Sequence, residues 1–200
     1  MSTNTKDARM DGIPRRTTPM TRLAPLNLDA LTPEQQGVAD AIRNGPRGGL
    51  RGPFEAWLRA PGLADPAQRV GAYCRFGSSL PADINELAIL LTGKHWKAQF
   101  EFWAHARLAL QAGLDPAIIE AIRTGAEPPF TRDLERVVYA FVTEYLATHR
   151  VSDVTYRRAV ETFGERGVVD LVGVVGYYGL VSMTLNVFEV EVPEGHENPL

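Results

Sequence analysis

Glu101 and His105 stand four residues apart in the run Gln99-Phe-Glu-Phe-Trp-Ala-His105. On a helix this spacing stacks a carboxylate and an imidazole one turn apart on a single face. Such a pair can orient, hold and pass a proton near neutral pH. On a wheel of about 100° per residue, Ala98, Phe102, Leu108 and Ala109 fall around the pair. Gln99, Arg107 and Gln111 fall on the opposite half, where solvent is expected, although Phe100 and Trp103 lie there too. On a wet surface the pair would contribute a few tenths of a kcal/mol, roughly, and nothing more. Buried among apolar residues, the carboxylate would need a partner or a raised pKa. Spacing and face together leave these two readings evenly matched.

Glu86 precedes Glu101 by fifteen residues and leads the apolar run Leu87-Ala-Ile-Leu-Leu91. A lone acid in that position ordinarily offsets the dipole of a first helical turn. If the two helices pack antiparallel, Glu86 instead meets the Glu101–His105 face, and two carboxylates sharing one imidazole form an acid–base group. His95, beside Trp96 at a helix end, could complement the dipole there or line the same pocket. His149 and His196 read as structural. The segment Gly45-Pro-Arg47-Gly-Gly-Leu-Arg51-Gly-Pro53 packs four glycines and two arginines into nine residues. It lacks the preceding strand and the Gly-Lys-Ser/Thr ending of a phosphate-cradling loop, so a tight inter-helical connection is expected. Arg47, Arg51 or Arg75 could still reach a substrate carboxylate. Glu86, Glu101 and His105 could also be three metal ligands, but the paired Glu-x-x-His of di-metal bundles is absent, so no metal is expected.

The elements that must position these residues read as helices. Thr32-Pro-Glu-Gln35 is a capping box with proline at the first helical position, and that helix should stop at Asn44-Gly45-Pro46. Asp65-Pro66 and Asp115-Pro116 repeat the start signal, Gly77 and Gly125 supply stops, and Ser152-Asp153 opens a helix ending at Gly164. Residues 168–188 are rich in Val and Gly, which favours strand locally, yet the length without a turn signal argues for helix. The expectation is an all-α chain: a flexible segment over 1–22, one helical domain over 23–190 and an irregular tail over 191–200.

Composition narrows the partners. With 21 Lys and Arg against 24 Asp and Glu, scattered and summing to −3, the chain offers no footprint for nucleic acid. The single cysteine, Cys74, rules out a disulfide or dithiol pair within one chain and suits a cytoplasmic location. The apolar stretch 171–185 is short for a membrane span and is broken by glycines, so no membrane is expected.

The stretch from Glu86 through Thr92-Gly-Lys-His95-Trp96-Lys-Ala98 to Glu101-Phe-Trp103-Ala-His105 resembles the signature helix pair of the carboxymuconolactone decarboxylase family, within the alkyl hydroperoxidase D-like superfamily. The likeness continues through Leu31-Thr-Pro-Glu-Gln-Gln, the glycine loop, Arg75-Phe-Gly-Ser-Ser-Leu-Pro81 and Gly176-Tyr-Tyr-Gly-Leu. It implies a helical bundle that assembles as trimers or hexamers. The peroxidase branch carries Cys-x-x-Cys here; Ala98 and Glu101 occupy those positions, while Glu86 and His105 match its glutamate and histidine. Without either thiol, peroxide chemistry is excluded. What the resemblance implies is a lyase needing no cofactor or metal, acting on a small carboxylated lactone or keto acid. In it His105 is acid or proton shuttle, Glu101 orienting partner or base, and Glu86 the second carboxylate. His95, Trp96, Arg51 and Arg75 are the expected substrate contacts. The alternative is a non-catalytic ligand-binding or assembly protein on the same scaffold.

Overall fold

A computed structural model describes residues 22–200; of the expected flexible segment, all but Arg22 lies outside the described residues. Within them the chain forms eight helices and no strand: α1 Pro33–Asn44, α2 Phe54–Trp57, α3 Pro61–Phe76, α4 Ala82–His95, α5 Gln99–Gln111, α6 Pro116–Thr124, α7 Asp133–Thr148 and α8 Asp153–Val187.

The local start and stop chemistry explains most boundaries. Thr32 Oγ1 accepts from the Gln35 amide at 3.3 Å while Gln35 Oε1 accepts from the Thr32 amide at 2.9 Å, closing the capping box of α1. Asp115 Oδ1 accepts from the Ala117 N–H at 2.8 Å, and Gly125 ends α6 at φ 80°. In α8, Gly164 leaves the helical region (φ 70°, ψ 170°), so the helix breaks at the expected stop and resumes at once. Asp65-Pro66 is a correction. α3 begins a turn and a half earlier at Pro61 and carries Pro66 inside it. The extra turn buries Ala64 completely, and one missing N–H so near the helix start forfeits a single backbone bond.

α4 is the central helix, packed against α5, α6, α7 and α8. Ile84, Leu87, Ala88, Ile89 and Leu90 are fully buried, covering all sides of the helix. Its first turn is tied to α7 by Arg132, which pairs with Asp83 and, at 2.7 Å, with Glu135. α8 is long and apolar enough in composition to cross a membrane, but 67% of its most apolar window is buried inside the bundle. A core helix accounts for that apolarity.

α4 and α5 form an antiparallel hairpin. Lys97 turns the chain at φ 52°, and the Ala98 N–H donates to Gly93 O at 2.9 Å. The hairpin sets Gly93 against Glu101, where an added Cβ would stand 3.7 Å from Glu101 Cγ. The tail beyond α8 is irregular yet packed: Gln99 exchanges two hydrogen bonds with Leu200, 2.8 and 2.9 Å, and His196 lies 5.1 Å from Trp103. This covering explains why Trp103 is buried on the half of α5 expected to face solvent, while Phe100 on the same half lies against Gly52 of the glycine loop.

Candidate active site

The antiparallel hairpin brings Glu86 of α4 to the Glu101–His105 face of α5. His105 Nδ1 lies 2.6 Å from Glu86 Oε2, and Nε2 lies 3.0 Å from Glu101 Oε1. All three side chains are under a tenth exposed. Glu86 sits in the second turn of α4, and the first-turn acid is Asp83. Dipole compensation therefore does not account for Glu86.

Both ring nitrogens face carboxylate oxygens. A neutral imidazole carries one N–H, so one of these contacts would set a nitrogen lone pair against a carboxylate. The imidazolium presents an N–H to each, hydrogen-bonding Glu86 and pairing in charge with Glu101. Burial alone would push the His105 pKa down, but the charges of Glu86 and then Glu101, together with their hydrogen bonds, raise it to about 9. At neutral pH the resting group is a proton-loaded acid held between two bases. The Glu101 contact is off the line of a good hydrogen bond, so Oε1, fully buried, keeps unspent acceptor capacity.

Tyr178 of α8 closes the site. Its ring meets the His105 ring edge to face at 4.9 Å, and its buried hydroxyl has no hydrogen-bond partner among the described residues. Burial first, then the carboxylates of Glu86 and Glu101, hold that hydroxyl neutral by pushing its pKa well up. A neutral, desolvated O–H beside a proton donor is a ready hydrogen-bond donor to a developing oxyanion. Sequence reasoning missed Tyr178; the signal available was the Tyr pair between Gly176 and Gly179 on the last helix.

The expected substrate contacts are not gathered with the triad. His95 and Trp96 are exposed at the far end of α4, ring against ring at 5.6 Å. His95 lies nine positions beyond Glu86 on the helix, about 13 Å along the axis. The Trp96 carbonyl accepts from Asn186 Nδ2, which fastens that corner to α8. Arg75 lies over the Phe76 ring at 4.9 Å, with its charge still felt at the hydroxyls of Tyr177 and Tyr178. Arg51 is half-buried beside the start of α2. Arg47, the other arginine of the glycine loop, is the one that meets the tyrosine pair, its Nη2 3.4 Å from Tyr177 Oη.

Gly71 makes room for that contact. A Cβ there would stand 2.1 Å from Tyr177 Oη and 2.4 Å from Arg47 Nη2. Alanine is intrinsically better in a helix by about 0.5–1 kcal/mol. Tyr177 cannot yield easily, being buried between Trp57 and Tyr178 at centroid distances of 6.1 and 5.2 Å. Overpacking costs about 1–3 kcal/mol, so Gly71→Ala is expected to destabilise the protein in urea unfolding. A gain in stability would show that the notch does not matter.

Cys74 is buried on α3, and burial followed by the Asp170 charge pushes its thiol up to about 11. It is not a thiolate at neutral pH and cannot serve as a peroxide nucleophile there. Ala98 and Glu101, which the resemblance sets at the two cysteine positions, are both buried in the hairpin.

No known protein family and no curated protein matches the chain. Solved structures do. An uncharacterized peroxidase-related protein from Ralstonia eutropha, described as an alkylhydroperoxidase AhpD core, superposes with a TM-score of 0.73 at 14% identity, covering 88% of this chain and 94% of the other. The chain has the AhpD fold. A peroxidase-related protein from Silicibacter sp., also uncharacterized, gives a TM-score of 0.69 at 16% identity over 86% of this chain and 92% of that one. The debrominase Bmp8, solved as a cysteine-to-alanine variant with 2,3,4-tribromopyrrole, gives 0.66 at 11% identity, covering 88% and 94%. At these identities the likeness fixes the architecture and leaves the chemistry to the site.

Proposed function

We propose that this protein is a cofactor-independent lyase of the carboxymuconolactone decarboxylase type, acting on a small carboxylated lactone or keto acid by general acid–base catalysis. The observation that carries this reading is the buried imidazole clamped between two carboxylates beside an unpartnered tyrosine hydroxyl. In such a reaction the C–C bond to the carboxylate breaks and CO2 leaves. The electron pair moves through the adjacent carbonyl to give an enolate, whose oxygen accepts a hydrogen bond from Tyr178. His105 then delivers its proton to carbon, and the ring recovers one from water with Glu101 and Glu86 stabilising the charged form. A desolvated acid–base group of this kind supports proton transfer at carbon without the thiol pair that peroxide reduction would require.

The test is a screen of carboxylated lactones and 3-oxo acids for CO2 release, with solvent deuterium appearing at the carbon that lost it. Turnover by the wild type that persists in a His105 variant would overturn the assignment.

We also propose that the chain self-associates. Leu63, Val70, Tyr73 and Phe76 on α3 and Val169, Val172, Met183 and Val187 on α8 are each at least two-fifths exposed. α3 and α8 pack together, so these side chains populate neighbouring surfaces. Light scattering should give a multiple of 22.0 kDa; a monomer at micromolar concentration would refute this.

A further inference from the structure

We infer that the two carboxylates of the triad have separate tasks: Glu86 fixes the His105 ring through Nδ1, and Glu101 is the movable partner through which the proton on Nε2 is released and reloaded. The inference deepens the lyase reading and rests on it for the proton's destination, the carbon that has lost CO2.

Geometry at the ring separates the two. His105 Nδ1 and Glu86 Oε2 are hydrogen-bonded at 2.6 Å, the short length of a charge-assisted pair. Nε2 and Glu101 Oε1 lie 3.0 Å apart but off line, so the charges attract while the N–H is not spent on that oxygen. Oε1 is fully buried and accepts no hydrogen bond among the described residues.

The helices that carry the two acids differ in the same sense. Glu86 stands in α4 within a run from Asp83 to Gly93 that is buried throughout. Its neighbour Asn85 is itself tied down, Nδ2 donating to Cys74 O at 3.1 Å. Glu101 belongs to the first turn of α5, four residues past the left-handed turn at Lys97. No earlier helical turn braces a residue in that position, and the helix dipole favours its charged form. The Glu101 stem lies against Gly93, whose lack of a side chain leaves it space on that side; an added Cβ would stand 3.7 Å from Cγ.

These differences set the order of proton movement. On delivery the Nε2–H bond breaks, its electron pair stays on nitrogen, and the C–H bond forms. The ring is then neutral, and its remaining N–H is donated from Nδ1 to Glu86. Nε2 now turns a lone pair toward Oε1, which is a repulsive contact. A proton taken from water by Oε1 makes that contact attractive, and its passage to Nε2 restores both the imidazolium and the Glu101 carboxylate. One solvent proton enters for each CO2 that leaves. Glu86 is a positioning residue in this scheme, and Glu101 is the relay.

The test is heteronuclear NMR of the His105 ring in the full chain at pH 6, with solvent exchange of each ring proton measured by saturation transfer. In the wild type the Nδ1 proton should lie further downfield. The Nε2 proton should exchange at least about tenfold faster, the factor equivalent to ~1.4 kcal/mol of hydrogen bonding. Glu86→Gln should remove the downfield position of the Nδ1 proton, whereas Glu101→Gln should keep it and change exchange at Nε2. Thermal melts establish that each variant is folded, and the wild-type order of exchange decides the matter without them. Equal exchange of the two ring protons, faster exchange at Nδ1, or an unmoved Nδ1 resonance in folded Glu86→Gln would each overturn the inference. Failure of the lyase reading looks different: the exchange order would stand, while no carboxylated substrate would release CO2.

Discussion

His105→Gln is expected to lower turnover by about 10²–10⁴-fold, the range spanned by a positioned general acid or base. Glutamine keeps the side chain polar and can donate one hydrogen bond into the cluster, but it cannot release a proton. The choice of variant follows from burial. His105→Ala would leave Glu86 and Glu101 facing each other across a void, and stranding buried charges in this way costs about 3–5 kcal/mol. Loss of activity there would be inseparable from loss of fold. Even in His105→Gln the cluster changes from one net negative charge to two. The double variant Glu86→Gln/His105→Gln restores the original net charge and should fold while showing the same loss of turnover. Steady-state kinetics beside thermal melts of both proteins separate the two effects. A folded His105→Gln protein with wild-type turnover would remove His105 from the chemistry.

The second large effect is on stability at alkaline pH. In the folded protein the His105 pKa is raised to about 9, against 6.5 for an unperturbed imidazole. A raised folded pKa means that folding favours the protonated form. The contribution is complete below pH 6.5, declines as pH rises between 6.5 and 9, and is gone above. A shift of this size corresponds to on the order of 3 kcal/mol. For a domain of this length the melting temperature should fall by on the order of 10 °C between pH 6.5 and 9.5. Scanning calorimetry across that range measures it directly. His105→Gln should lack the decline between pH 6.5 and about 8.5; nearer pH 9.5 the buried Cys74 thiol, raised from 9.0 to about 11, adds a smaller loss to both proteins. A wild-type profile flat from pH 6.5 to 9.5 would mean that the carboxylates do not hold the charge.

Much of the scaffold was legible in the chain because its signals are local. The Thr32–Gln35 box, the Asp115 cap and the Gly125 and Gly164 stops involve residues within a few positions of one another, and each is made as read. Asp65-Pro66 misled because a proline tolerated inside a helix carries the same letters as one that starts it, and the packing of Ala64 decides between them. The Glu101–His105 spacing was legible, but its meaning was not, since the wheel cannot tell that the tail returns to cover Trp103. Glu86 depended on a tight reversal at Lys97, a residue that carries none of the turn preference of glycine or asparagine. Tyr178 and Arg47 come to the site from more than a hundred residues apart in the sequence, and no periodicity links them. His95 and Trp96 stand apart from the triad for a related reason: adjacency in sequence to the key helix pair puts them at its turn, exposed, rather than on its inner face.

The most direct test of the account is a pH titration of the His105 ring by heteronuclear NMR in the intact protein. The account predicts that both ring nitrogens stay protonated at neutral pH and that the midpoint lies near 9. A midpoint at or below 6.5, or a neutral single tautomer at pH 7, would contradict it.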